Sequence, residues 1–127
     1  MLKVLLVDDE PFIVQGLSAL IDWEKEGFEI VGTAGNGSEA VEFLKSNPVD
    51  LILADIKMPV MNGLEFLKYI RETHLSEAFF VILSGYGDFT YAKEAIKWQC
   101  TDYILKPIQK SQLFALLSKV KQMQQDK

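Results

Sequence analysis

Leu51-Ile52-Leu53-Ala54-Asp55-Ile56-Lys57-Met58-Pro59 decides the fold and points to the chemistry. Four consecutive apolar residues read as a short strand buried on both faces. A carboxylate at the carboxyl end of such a strand, just before a loop closed by proline, is placed for chemistry rather than packing. The same design recurs. Val4-Leu5-Leu6-Val7 ends in Asp8-Asp9-Glu10, Phe79 to Leu83 ends in Ser84-Gly85, and Tyr103-Ile104-Leu105 ends in Lys106-Pro107. If the strands are parallel, carboxylates, a hydroxyl and an ammonium meet at one edge of one sheet. Such a set suits a divalent cation and a phosphoryl group.

Helical periods fill the intervals. Pro11 opens a helix with Ile13, Leu17, Leu20 and Ile21 on one face. Phe28-Glu29-Ile30 alternates and then meets Gly32, as a half-exposed edge strand would. Asn36-Gly37-Ser38-Glu39 and Asn62-Gly63-Leu64-Glu65 each set an acceptor three residues before a Glu, the spacing of a capping box. Val41 and Leu44 follow the first, Phe66, Leu67 and Ile70 the second, and Asn47-Pro48 stops the earlier helix. Asp88 is expected to cap a fourth helix carrying Phe89, Ala92, Ala95 and Ile96 inward. Leu113, Leu116, Leu117 and Val120 mark a fifth. Strands alternating with helices predict an α/β fold, a doubly wound five-stranded parallel sheet with five helices on its two faces. Ligands of such sheets sit outside the strand carboxyl ends.

At 127 residues the chain is long enough for one domain with one sizeable core. Apolar residues make up 49% and charged residues 24%, the balance of a soluble globular protein. No apolar stretch approaches the ~18 residues of a membrane span. Met1-Leu2-Lys3 runs straight into a strand with no signal-peptide core, so the chain reads as cytoplasmic. A net charge of −5 with scattered Lys and Arg argues against direct nucleic-acid binding by this segment. Cys100 reads as a buried small residue, Trp23 and Trp98 as packing residues, and His74 as a solvated surface histidine.

The ordered set Asp8-Asp9, Asp55, Met58-Pro59, Gly63, Ser84, Tyr103 and Lys106-Pro107 resembles the receiver (response-regulator) domain of two-component signalling over essentially the whole chain. Ser84-Gly85-Tyr86-Gly87-Asp88-Phe89, Tyr91-Ala92-Lys93-Glu94-Ala95-Ile96 and Asp102 to Pro107 look like the subgroup that precedes an AraC-type helix-turn-helix output domain. The resemblance implies a flavodoxin-like sheet of strand order 2-1-3-4-5, with residues 1–122 as the receiver and 123–127 as the start of a linker to the output domain. It implies Asp55 as phosphoacceptor from a sensor histidine kinase, with Mg²⁺ on Asp9 and Asp55, Asp8 acting mainly through water, and the Lys57 backbone carbonyl completing the set. Lys106 and Ser84 would meet the phosphoryl oxygens, the Gly85 N–H would assist, and Ser84 with Tyr103 would form the switch. Homodimerisation through helix four, strand five and helix five, and a cis Lys106-Pro107 bond, follow from the same resemblance.

Two other readings compete. A Mg²⁺-dependent aspartyl phosphohydrolase of the haloacid dehalogenase type wants an Asp two residues after the nucleophile, where Lys57 stands. A degenerate receiver acting only as a protein-binding module would have lost an acidic, hydroxyl or lysine position, and none is lost. Lys57 and Tyr86, each two residues beyond a functional residue, are bulky enough to influence water attack on a phosphorylated site.

Overall fold

The computed structural model describes residues 1–85 and 90–127. Among these residues five strands alternate with five helices. The strands are β1 (Leu2–Val7), β2 (Phe28–Ala34), β3 (Leu51–Asp55), β4 (Phe79–Ser84) and β5 (Asp102–Leu105). The helices are α1 (Pro11–Leu20), α2 (Gly37–Ser46), α3 (Gly63–Glu72), α4 (Thr90–Lys97) and α5 (Lys110–Gln125). Every pairing is parallel and the order is β2-β1-β3-β4-β5, as expected.

Period-two alternation in the central strands builds two cores. Leu5, Val7, Ile52, Ala54, Phe80 and Ile82 face α2, α3 and α4. Val4, Leu6, Leu51, Leu53, Val81 and Leu83 face α1 and α5, where Leu17, Leu113, Leu116, Leu117 and Val120 close the layer. That is why the strands read as unbroken apolar runs: neither face meets water. Trp23 is buried and donates its indole N–H to the Leu17 carbonyl at 3.0 Å, whereas Trp98 is partly buried. Asn36 caps α2 through Glu39 N at 2.9 Å. Asn62 and Glu65 form a reciprocal capping box on α3, fixing where that helix begins.

Several local expectations need correction. Ile96 is 71% exposed rather than inward, because α4 turns Ala95 into the core, with Tyr91 and Trp98 packed partly against it, and Ile96 falls about 100° round the helix from Ala95. Cys100 is only partly buried. β2 continues through Gly32 to Ala34, with a bulge opposite Val4/Leu5. A β-carbon on Gly32 would stand 2.5 Å from the Phe43 ring, so any other residue there would require that ring to shift. Asp88, Phe89, Tyr86 and the Ala92 side chain lie outside the described residues. His74 is exposed, and the Lys106-Pro107 bond is cis.

Two glycines bring helix starts against the loop after β3. Gly37 N donates to the Met61 carbonyl and Gly63 N to the Ile56 carbonyl, both at 2.9 Å. A methyl group on Gly63 would overlap the Asp55 carbonyl oxygen, which is backbone and cannot swing away. Gly63→Ala is therefore expected to lower the urea midpoint by about 1–3 kcal/mol of stability, the usual cost of overpacking. A midpoint equal to wild type would show that α3 can retreat without cost.

Candidate functional site

The carboxyl ends of β1, β3, β4 and β5 lie side by side, and the side chains they carry converge. Asp55, the last residue of β3, is 5% exposed. One of its oxygens accepts from Ile56 N at 2.8 Å and the other from Lys106 Nζ at 3.2 Å. Asp8, directly after β1, is 6% exposed. Its Oδ1 accepts from Glu10 N at 2.9 Å and its Oδ2 from Lys106 Nζ at 3.1 Å. One ammonium thus bridges two buried carboxylates from strands that are neighbours in the sheet. Lys106 is positioned by its own backbone, whose N–H donates to the Ser84 carbonyl at 2.7 Å.

Carboxylate oxygens of Asp8, Asp9, Glu10 and Asp55 all lie within 4.8 Å of one another, Asp9 and Glu10 forming the exposed side. Glu10 is the N-cap position of α1 but gives no side-chain cap hydrogen bond, and its carboxylate belongs to the cluster. The run Asp8-Asp9-Glu10 was the available signal. A cleft of about 440 Å³ opens beside the cluster between Asp9, Lys57, Asn62 and Tyr91. Lys57 is exposed at its edge.

Burial pushes the Asp55 carboxyl above the ordinary range. The Lys106 charge pulls it back, but Asp8 competes for the same ammonium and adds repulsion of its own. Lys106 is raised as well, for a different cause. Burial lowers it, yet the hydrogen bond it donates to Asp8 and the charges of Asp55 and Asp8 together hold it above the ordinary lysine value. The two directions agree physically, since one cation shared by two anions gains more from the arrangement than either anion does.

Ser84 closes β4 at 1% exposure, and its hydroxyl has no hydrogen-bond partner among the described residues. Its neighbour Leu83 is in register with Asp55 across the β3–β4 pair. Tyr103 stands opposite Ile82 on β5, half-buried against the α2–α4 side of the core. The fold thus gathers Asp8, Asp9, Asp55 and Lys106 into one ion cluster. Ser84 lies one strand over, Lys57 on the rim, and Tyr103 in the core layer three residues before Lys106.

Comparison with known proteins agrees with this geometry. Residues 4–118 match the response regulator receiver domain family. The transcriptional regulatory protein YesN of Bacillus subtilis is 40% identical over 120 residues, covering 94% of this chain and 32% of that protein. The chain spans about a third to a half of the curated relatives it matches, 32% to 46% of their length. The receiver domain of AraT, a response regulator from Geobacillus stearothermophilus, superimposes with a TM-score of 0.88 at 39% identity, covering 99% of this chain and 98% of that one. A two-component transcriptional regulator, AraC, from Clostridium phytofermentans gives 0.85 at 33% identity, covering 96% and 94%. With two parallel core layers, an acidic cluster at the strand ends and a lysine bridging it, this chain belongs to the response regulator receiver domain family.

Proposed function

We propose that this domain is a phosphoacceptor: Asp55 takes the phosphoryl group from a phosphohistidine of a sensor histidine kinase, and the acquired charge shifts the domain between two conformations. The observation that supports this most directly is the buried Asp55 carboxylate 3.2 Å from Lys106 Nζ at the head of a central strand. An Asp55 oxygen attacks phosphorus, the P–N bond to the donor imidazole breaks, and its electron pair returns to the ring. Lys106 supplies charge to the phosphoryl oxygens, the main task in a reaction governed by positioning and electrostatics. The domain is a substrate and at most a slow self-phosphatase.

Four carboxylates against one ammonium leave the cluster short of positive charge, and hard oxygen donors with an exposed side fit a cation that keeps several waters. Asp9 and Asp55 would hold Mg²⁺ directly, Asp8 mainly through water, and the Lys57 carbonyl would complete the protein ligands. When bound, the ion supplies the positive charge that screens the carboxylate from its anionic phosphodonor.

A buried hydroxyl without an acceptor costs about 1–3 kcal/mol. Among the described residues Ser84 is such a group, and a phosphoryl oxygen on Asp55 would give it a partner, with the Gly85 N–H alongside. Drawing this strand end inward would free Tyr103 to turn toward the core. The relatives are longer transcriptional regulators, so the output in our reading is a DNA-binding region of AraC type joined through residues 123–127. This receiver segment does not itself touch nucleic acid. Among the described residues no helix is long and apolar enough to cross a membrane. Ile96, Leu105 and Phe114, exposed by 71%, 40% and 38% on α4, β5 and α5, support the reading of that face as the homodimer surface of the phosphorylated form.

Three outcomes test this reading. After acetyl phosphate and Mg²⁺, mass spectrometry is expected to find one added phosphoryl group in the wild type. It should find none in Asp55→Asn, and a yield reduced steeply by Asp9→Ala or a chelator. An adduct of normal yield in Asp55→Asn would remove that residue from the role.

Ser84→Ala is expected to accept phosphate more slowly yet signal poorly. It loses a hydrogen bond to a charged group worth about 1.5–3 kcal/mol. Reversing a population from 1:99 to 99:1 needs about 5.5 kcal/mol, so a large part of the shift should vanish. The Tyr103 ring resonances with and without beryllofluoride report it, and equal shifts in both proteins would uncouple Ser84 from Tyr103.

Sedimentation with beryllofluoride should show a dimer that Ile96→Asp returns to monomer. A dimer indifferent to Ile96→Asp would place the interface elsewhere.

A further inference from the structure

The chemistry above occupies one end of the sheet. At the other end, where β4 begins and α3 and α4 stop, lies a cleft of about 740 Å³. That size falls in the range of small-molecule sites, which combine apolar walls with a few convergent polar groups. Trp98, Phe79 and Met123 give this cleft apolar walls. Its charged lining is Arg71, Lys97 and Lys119 against Glu77, with His74 at the edge. In a chain of net charge −5 this local excess of cations runs against the overall balance.

The end of α4 does not by itself account for those cations. Its last carbonyls are taken by backbone donors, Ile96 O by Gln99 N at 3.0 Å and Ala95 O by Cys100 N at 3.0 Å. Arg71, from α3, ties the segment before β4 to the segment after α4, donating to the carbonyls of Ser76 and Ala78 at 2.9 Å and of Gln99 at 3.3 Å. Its Nε is buried and has no acceptor among the described residues. Lys119 is half-exposed and shared with Asp102 at 3.6 Å. Lys97, exposed on the last turn of α4, has no ion pair among the described residues. One free ammonium, a second on the rim and an incompletely satisfied guanidinium therefore surround an apolar hollow.

We propose that this cleft binds a small amphipathic anion, an apolar ring or short chain bearing one carboxylate, sulfonate or phosphate. The anionic group lies toward Lys97 and Lys119, and the apolar part lies on Trp98 and Met123. An occupant would touch α3, α4 and α5 together. It would bias the face framed by α4 and α5 from a point remote from Asp55, as an input separate from phosphorylation.

The probe is 8-anilinonaphthalene-1-sulfonate, an aromatic sulfonate, titrated into the purified chain with its emission excited through tryptophan. Trp98 lines the cleft, whereas Trp23 is buried in the α1–α5 layer. One dye per chain should bind saturably, with transfer that Trp98→Phe reduces. Lys97→Gln with Lys119→Gln should weaken it about tenfold or more, the loss of about 1.4 kcal/mol or more. Met123→Glu, which sets a like charge in the wall, should weaken it as well. Phe12→Ser, in the separate apolar groove beside α1, should leave binding intact. Circular dichroism melts of each variant establish that the fold is kept. Binding unchanged by the lysine and Met123 substitutions, binding lost in Phe12→Ser, or no binding at about 1 mM dye would overturn the proposal.

Discussion

One ammonium shared by two buried carboxylates is the interaction on which this domain depends. Lys106 reaches Asp8 at 3.1 Å and Asp55 at 3.2 Å from a strand end on the far side of β4. Removing one partner of a buried ionic set leaves an uncompensated charge and costs several kcal/mol. All three side chains are anchored as well as paired. Asp8 accepts from Glu10 N, Asp55 accepts from Ile56 N, and the Lys106 backbone is bonded to the end of β4. The sheet order follows from the same need. β1 and β3 must be neighbours to bring Asp8 beside Asp55, and β4 and β5 must lie on the Asp55 side to return Lys106.

The loop after β3 shows what holding Asp55 there demands. Its backbone is clamped by Gly63 N on Ile56 O and by Gly37 N on Met61 O. Between those clamps Met61 N donates to Pro59 O at 2.7 Å, across a Val60 held at φ 68°. A three-residue turn with its centre in the left-handed region is rare and strained, more so for a β-branched side chain. The Val60 side chain is 81% exposed, so packing against it does not compensate for the strain. The compensation comes from the two helix starts that fix both ends of the turn.

The fold and the site were legible in the sequence to different depths. Central strands such as Leu51–Asp55 and Phe79–Ser84 are readable because burial on both faces leaves only apolar residues, and each ends in a chemically marked side chain. Asn36 and Asn62 announce α2 and α3 because caps work through a fixed local spacing. Ile96 misled because a short helix carries too few turns for its apolar set to define one face. An exposed isoleucine and a buried one look the same until Ala95 and Trp98 choose the orientation. Glu10 is ambiguous for a different reason. Its dipole role at a helix start and its carboxylate role in the cluster call for the same residue, and only the approach of β3 separates them. The cleft beneath Arg71 was invisible, since it is assembled from the ends of three helices with no motif in common.

The site is electrostatically unbalanced among the described residues. Four carboxylates gathered within 4.8 Å and one ammonium leave an excess of negative charge in a partly buried place. Burial and the repulsion of Asp8 raise the Asp55 carboxyl, the direction expected where the charged form is disfavoured. A site that is electrostatically incomplete binds whatever completes it with free energy that the apo fold has withheld. The buried Ser84 hydroxyl is the polar counterpart, a donor without an acceptor among the described residues. Cation deficiency on one side of Asp55 and an unused donor on the other are two halves of one arrangement. In the proposed phosphoacceptor reading the first would favour a divalent ion and the second a phosphoryl group on Asp55, and because each relieves a different deficit neither would substitute for the other.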